Sequence, residues 1–185
     1  MVEYGPDNVW RSTDKEKQEL DRLQEFDVLS LRKGAECHRQ IRKYAQRFIK
    51  PGMKMIDICI ELEKMLKFIT NAHGIDIGQS FPTGCSLNEV AAHYTPNTGD
   101  ETVLKADDVC KLDFGTHANG FVIDCAHTIA FNPIYDNLLK ASKEGTDTGL
   151  KLAGIDARLG EIGAGIQEVI ESYEVEIKGK THKIK

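Results

Sequence analysis

The sequence predicts an α+β fold in which helices cover one face of an antiparallel sheet. Three observations predict it. Residues 107–131, D-D-V-C-K-L-D-F-G-T-H-A-N-G-F-V-I-D-C-A-H-T-I-A-F, read as two apolar strands around a tight turn, with Asn119-Gly120 tolerating the positive φ that a two-residue hairpin demands. Two amphipathic helical patterns precede this stretch and two follow it. The apolar positions Met55, Ile58, Leu62, Met65 and Leu66 match Leu159, Ile162, Ile166, Val169 and Ile170 at constant offset. The chain therefore reads as one αβ half and the start of a second.

Taken in order, Met1–Arg11 form an irregular lead-in, and Thr13 with Glu16 fits a capping box. The alternating charges of D-K-E-K-Q-E-L-D-R suit a solvated helix face. From Gly34, the positions Ala35, His38, Ile41, Ala45, Phe48 and Ile49 recur at helical spacing, and Lys50-Pro51-Gly52 stops that helix. His38 lies on the apolar stripe and reads as a satisfied core or interface histidine rather than a ligand. The second helix carries Met55, Ile58, Leu62, Met65, Leu66 and Ile69 on one face, with Gly74 as a left-handed cap. Residues 75–98 are strand and loop, punctuated by Gly, Pro, Ser and Asn. After the hairpin, Asn132-Pro133 opens a helix running toward Leu152, a second follows from Leu159 to Ile170, and V-E-I-K-G-K-T-H-K-I-K ends the chain as strand, turn and strand. The organisation expected is a lead-in and charged helix over 1–26 and an α+β domain over 27–185. The first half of that domain spans about 27–131 and the start of the second about 132–185.

The chain has 185 residues, 41% hydrophobic and 29% charged, values of an ordinary globular domain. A net charge of −5 argues against nucleic acid or an anionic membrane as a direct partner. No apolar run reaches membrane-span length, and no signal peptide pattern opens the sequence, so a cytoplasmic protein is expected. Five scattered cysteines, Cys37, Cys59, Cys85, Cys110 and Cys125, lack the C-x-x-C spacing of a zinc site and read as small core residues.

Each hairpin strand carries one aspartate inside its apolar run, Asp113 and Asp124. With Ala118-Asn119 as the loop the two stand directly opposite; with Asn119-Gly120 they are diagonal neighbours. Either way they share a face, roughly 5–8 Å apart, whereas an odd loop would separate them. Such a pair suits either a solvated strand face or a divalent metal taking hard oxygen ligands. The hydrophobic flanks favour the metal. His93, in A-A-H-Y-T-P-N, gains meaning if its loop folds beside the aspartates.

These residues carry a resemblance. A-x-C-H-R-Q-I-R-K-Y at 35–44, I-K-P-G-M-x-M-I-x-I-C at 49–59, F-P-T-G-C-S-L-N at 81–88, A-A-H-Y-T-P-N at 91–97, C-K-L-D-F-G-T-H at 110–117 and I-D-C-A-x-T at 123–128 resemble the methionine aminopeptidases of type 2, over nearly everything after Trp10. The resemblance implies the pita-bread (creatinase/aminopeptidase-like) fold, incomplete here, with two αβ halves related by a pseudo-twofold. It implies Asp113 and Asp124 as metal-binding carboxylates and His93 as the active-site histidine that contacts the substrate. It also implies Phe81 as a wall of the pocket for the methionine side chain.

The activity implied is removal of the initiator methionine from nascent chains by a two-metal hydrolytic mechanism. The ions would be two of manganese, cobalt, iron or zinc. N-terminal Met peptides are the implied substrates, with the ribosome or translation factors as further partners. The family completes its site with one histidine and two glutamates. His117, His127 and His182 do not match that histidine, and Glu161, Glu168 and Glu171 lie on a helix, so these ligands are expected after Lys185 and the chain alone is not expected to be active. The alternative reading is a non-catalytic relative that keeps the fold to bind the translation machinery.

Overall fold

The computed structural model describes residues 14–71 and 75–185. The lead-in over Met1–Arg11, the Thr13 cap and the Gly74 cap lie outside the described residues. Two compact units emerge, one built on residues up to Lys105 together with Cys110–Ile129, the other on Ala106–Val109 with Ala130–Lys185.

In the first unit a single helix, α1, runs from Lys15 to Phe48. The carboxylate of Asp14 accepts from the backbone N–H groups of Glu16 and Lys17 at 3.0 and 3.2 Å, satisfying donors that the first turn leaves free. The opening turns, Lys15–Leu20, are exposed, as the charge pattern requires. Ser30, Gly34, Cys37, His38, Ile41 and Ala45 are buried at three- and four-residue spacing. Ala35, expected on the stripe, faces solvent instead. Gly34 takes the buried position because the helix crosses the sheet closely there: a Cβ at 34 would stand 3.1 Å from Cγ1 of Ile123.

Helix α2 (Met55–Ile69) buries Met55, Ile58, Cys59, Leu62 and Leu66, with Met65 and Ile69 half-buried at the margin of that face. Asn71, at φ 52°, takes a left-handed conformation just past its end.

The sheet of this unit is organised on one strand. β1 (Ile77–Gln79) and β2 (Gly84–Leu87) lie one after the other along the same edge of β3 (Val109–Ala118), both antiparallel to it. Ile77 pairs with Ala118 and Gln79 with Thr116, while Gly84 pairs with Asp113 and Leu87 with Cys110. β4 (Phe121–Ala130) pairs with β3 as well. Cys110, Leu112, Phe114, Thr116 and Ala118 alternate into the core. Their face meets α1, where the Thr116 hydroxyl donates to the Gly34 carbonyl and the His38 ring stacks on Phe114. The core includes four of the five cysteines, and all five carry free thiols.

In the second unit, a 3-10 turn at Pro133–Tyr135 leads into helix α3 (Asp136–Leu152), which packs on α4 (Leu159–Glu171). The crossing is close because α3 presents Gly145 and Gly149: a Cβ at either would stand 2.9 Å from a side-chain carbon of Ile170 or Ile166. β5 (Glu174–Ile177) and β6 (Lys180–Lys183) form a two-stranded ribbon, the expected strand, turn and strand. Leu150, Ile155 and Leu159 are 71–91% exposed together with Ile75 of the first unit. No helix among the described residues is long and apolar enough to cross a membrane.

Candidate metal centre

β3 ends at Ala118 and β4 begins at Phe121, so Asn119-Gly120 form the loop, at φ 52° and 84°. Of the two registers open to the sequence this is the one that makes Asp113 and Asp124 diagonal neighbours on one face. Both side chains line a single cleft of about 350 Å³. The same cleft is lined by Phe81, Pro82, Gly84, His93 and Thr95. All four residues singled out from the sequence, Phe81, His93, Asp113 and Asp124, are thus brought together. Gly84, Pro82 and Thr95 carried no role in the sequence reading. Gly84 sits opposite Asp113 in the β2–β3 ladder, a non-local pairing that no local pattern announces.

His93 reaches the cleft from a loop held by side-chain and backbone bonds. Its own φ is 67°, a left-handed conformation uncommon outside glycine. The next residue fixes it. The Tyr94 N–H donates to Ser86 Oγ at 3.1 Å, and the Tyr94 carbonyl accepts from the Cys85 N–H at 2.8 Å. The Tyr94 hydroxyl donates to the Asp100 carboxylate, and the Thr95 hydroxyl to the Thr83 carbonyl at 3.0 Å. Phe81 is set by Gly115: a Cβ there would stand 2.2 Å from the Phe81 ring.

The electrostatics of the pair are unbalanced. Oδ1 of Asp113 is buried and has no hydrogen-bond partner. Burial, and then the negative charge of Asp124, push the Asp113 carboxyl above its ordinary range, against a smaller pull from His93 and His38. A buried carboxylate oxygen without a donor, beside a second carboxylate, fits a hard divalent cation. Among the described residues no group of three or more His, Cys, Asp or Glu side chains is arranged to hold a metal ion.

One histidine of the hairpin faces away from the cleft. His127 stands edge-on to Phe114 at 6.4 Å, on the α1 side of the hairpin, as its odd separation from Asp124 requires. Both of its ring nitrogens are buried without a partner. Burial, then the charges of Arg42 and His38, push its pKa down to about 4. In the unfolded chain it would protonate near 6.5, so stability falls as pH drops from that value toward 4. His127→Phe is expected to stabilise the chain by about 1–2 kcal/mol and to flatten this acid limb, because an unpartnered buried polar group is removed. Urea melts at pH 7 and pH 5 test this; an unchanged difference between the two would refute it.

Residues 30–184 match metallopeptidase family M24, and the chain belongs to that family. Within it, the chain is 56% identical to methionine aminopeptidase 2A of Arabidopsis thaliana, an alignment that covers 100% of this chain and 42% of that protein. It is also 56% identical to methionine aminopeptidase 2 of Schizosaccharomyces pombe, covering 100% and 43%. The chain therefore spans less than half the length of these curated relatives. Among solved structures, the methionine aminopeptidase of Rickettsia prowazekii aligns with a TM-score of 0.67 at 18% identity, over 80% of this chain and 60% of that one. The X-Pro aminopeptidase of Thermotoga maritima MSB8 aligns with a TM-score of 0.61 at 16% identity, over 84% and 45%. At these identities the likeness is one of fold, the pita-bread fold expected from the sequence.

Proposed function

We propose that this chain carries part of the active site of an aminopeptidase that removes N-terminal methionine from nascent proteins by two-metal hydrolysis. The observation that carries the proposal is the buried, unpartnered Oδ1 of Asp113, in the same cleft as Asp124, His93 and Phe81. Asp113 and Asp124 would hold the ions, and manganese, cobalt, iron and zinc all suit carboxylate and histidine donors. Bound divalent ions supply Lewis-acid polarisation of the scissile carbonyl and an activated water. His93 would hydrogen-bond the substrate at that carbonyl and stabilise charge developing there. Phe81 and Pro82 would form an apolar wall for the methionine side chain. The 56% identity to methionine aminopeptidases of type 2 supports this substrate over others in the family, and the five free thiols support a reducing, cytoplasmic location.

The test is methionine release from a Met-Ala-Ser peptide by the longest product of this gene, followed by chromatography. Release is expected with added Mn(II) or Co(II) and is expected to stop on chelation. Release that ignores both treatments would sink the proposal.

A further inference from the structure

One core histidine lies behind the candidate metal centre rather than in it. His38, on α1, is 2% exposed. Its Nε2 lies 2.9 Å from the carbonyl oxygen of Phe114 and 3.1 Å from that of Cys125. Both partners are acceptors only, so Nε2 carries the proton and donates to the two together. Phe114 directly follows Asp113, and Cys125 directly follows Asp124. One N–H therefore ties β3 to β4 at the residues next to both carboxylates. Neither strand can slide along the other without lengthening one of these bonds. The ring is itself fixed, lying flat on Phe114 with centroids 4.1 Å apart and planes 5° from parallel. The contacts arrive from the core face, opposite the cleft, so His38 touches neither substrate nor metal.

We infer that His38 is a positioning residue, whose single N–H sets the spacing and register of Asp113 and Asp124 for a divalent ion. The inference rests on the proposed metal-site reading. Groups that orient metal ligands from behind change affinity by roughly 10–100-fold when lost. His38→Phe keeps the stack and removes the donor. His38→Gln keeps a donor at similar reach.

The experiment is Mn(II) binding to the 185-residue chain by electron paramagnetic resonance, with circular dichroism to verify folding and a ¹H–¹⁵N histidine side-chain spectrum of the parent. Affinity is expected to fall by about tenfold or more in His38→Phe and to stay within about threefold in His38→Gln. The parent spectrum is expected to show His38 protonated at Nε2. A folded His38→Phe chain with parental affinity would overturn the inference. So would a His38 protonated only at Nδ1, a result that does not depend on whether any variant folds. If His38→Phe does not fold, a tenfold loss in His38→Gln overturns it as well. Parental binding no stronger than that of Asp113→Asn would instead defeat the metal-site reading itself.

Discussion

Asp113→Asn is expected to lower the affinity of the chain for Mn(II) by more than about a hundredfold, beyond the range for residues one shell removed from a metal. In the same variant, stability without metal should rise. The two effects have one cause. The carboxylate is held half-buried, with an oxygen lacking any donor and a second carboxylate beside it. Folding therefore favours its protonated form. The stability this group contributes is fully present below the ordinary carboxylate pKa and is lost as pH rises through its raised folded value. At neutral pH the folded chain bears that cost until a cation offsets it, and the neutral amide removes it. Thermal melts at pH 7 separate the terms. For the parent, Mn(II) at a hundred times Kd contributes about 2.7 kcal/mol, roughly 5–10 °C for a domain of this size. For Asp113→Asn, the metal-free Tm should exceed the parental one and Mn(II) should not move it. A metal-free Tm below the parental value would contradict this account of the site.

Gly115→Ala is expected to destabilise the chain by about 2–3 kcal/mol, toward the upper end for overpacking. The new methyl carbon would stand 2.1 Å from Oγ of Ser80 and 2.2 Å from Cε1 of Phe81. Neither neighbour can yield cheaply. The Ser80 N–H is bonded to the Gly115 carbonyl at 3.1 Å, which ties its backbone to this point on β3. The Phe81 ring is rigid, and its next position is the cleft it lines. The urea midpoint should therefore fall. A midpoint equal to the parental one would show that Phe81 does not rest on Gly115.

Much of the site was legible because it is local. The Asn119-Gly120 signal, the alternation of Cys110, Leu112 and Phe114, and the aspartates on the opposite face all belong to one hairpin, and short-range pattern is what strand and turn rules read. Where helix packing enters, the reading shifts. Gly34, not Ala35, is buried, at a close crossing where a Cβ would stand only 3.1 Å from Ile123. The cap of α1 is supplied by Asp14. The roles of Gly84 and Thr95 stayed hidden, because they depend on β2 lying against Asp113 and on a loop tied to that strand. His38 reads from its place on the apolar stripe as a satisfied core or interface histidine. What it is bonded to, two carbonyls 76 and 87 positions away, is a fact of tertiary structure alone.

The placing of β1 and β2 on one edge of β3, with β4 also paired to it, has a consequence for chain entropy. The two aspartates are joined by a two-residue turn, the shortest closure a strand pair can have. His93 lies in the segment between β2 and β3, and the pairing that brings it to the cleft must close the loop from Leu87 to Cys110. Closure entropy grows with loop length. The carboxylates thus meet through the least costly closure in this sheet, and the histidine joins them only when a longer one is compensated by the buried face of β3.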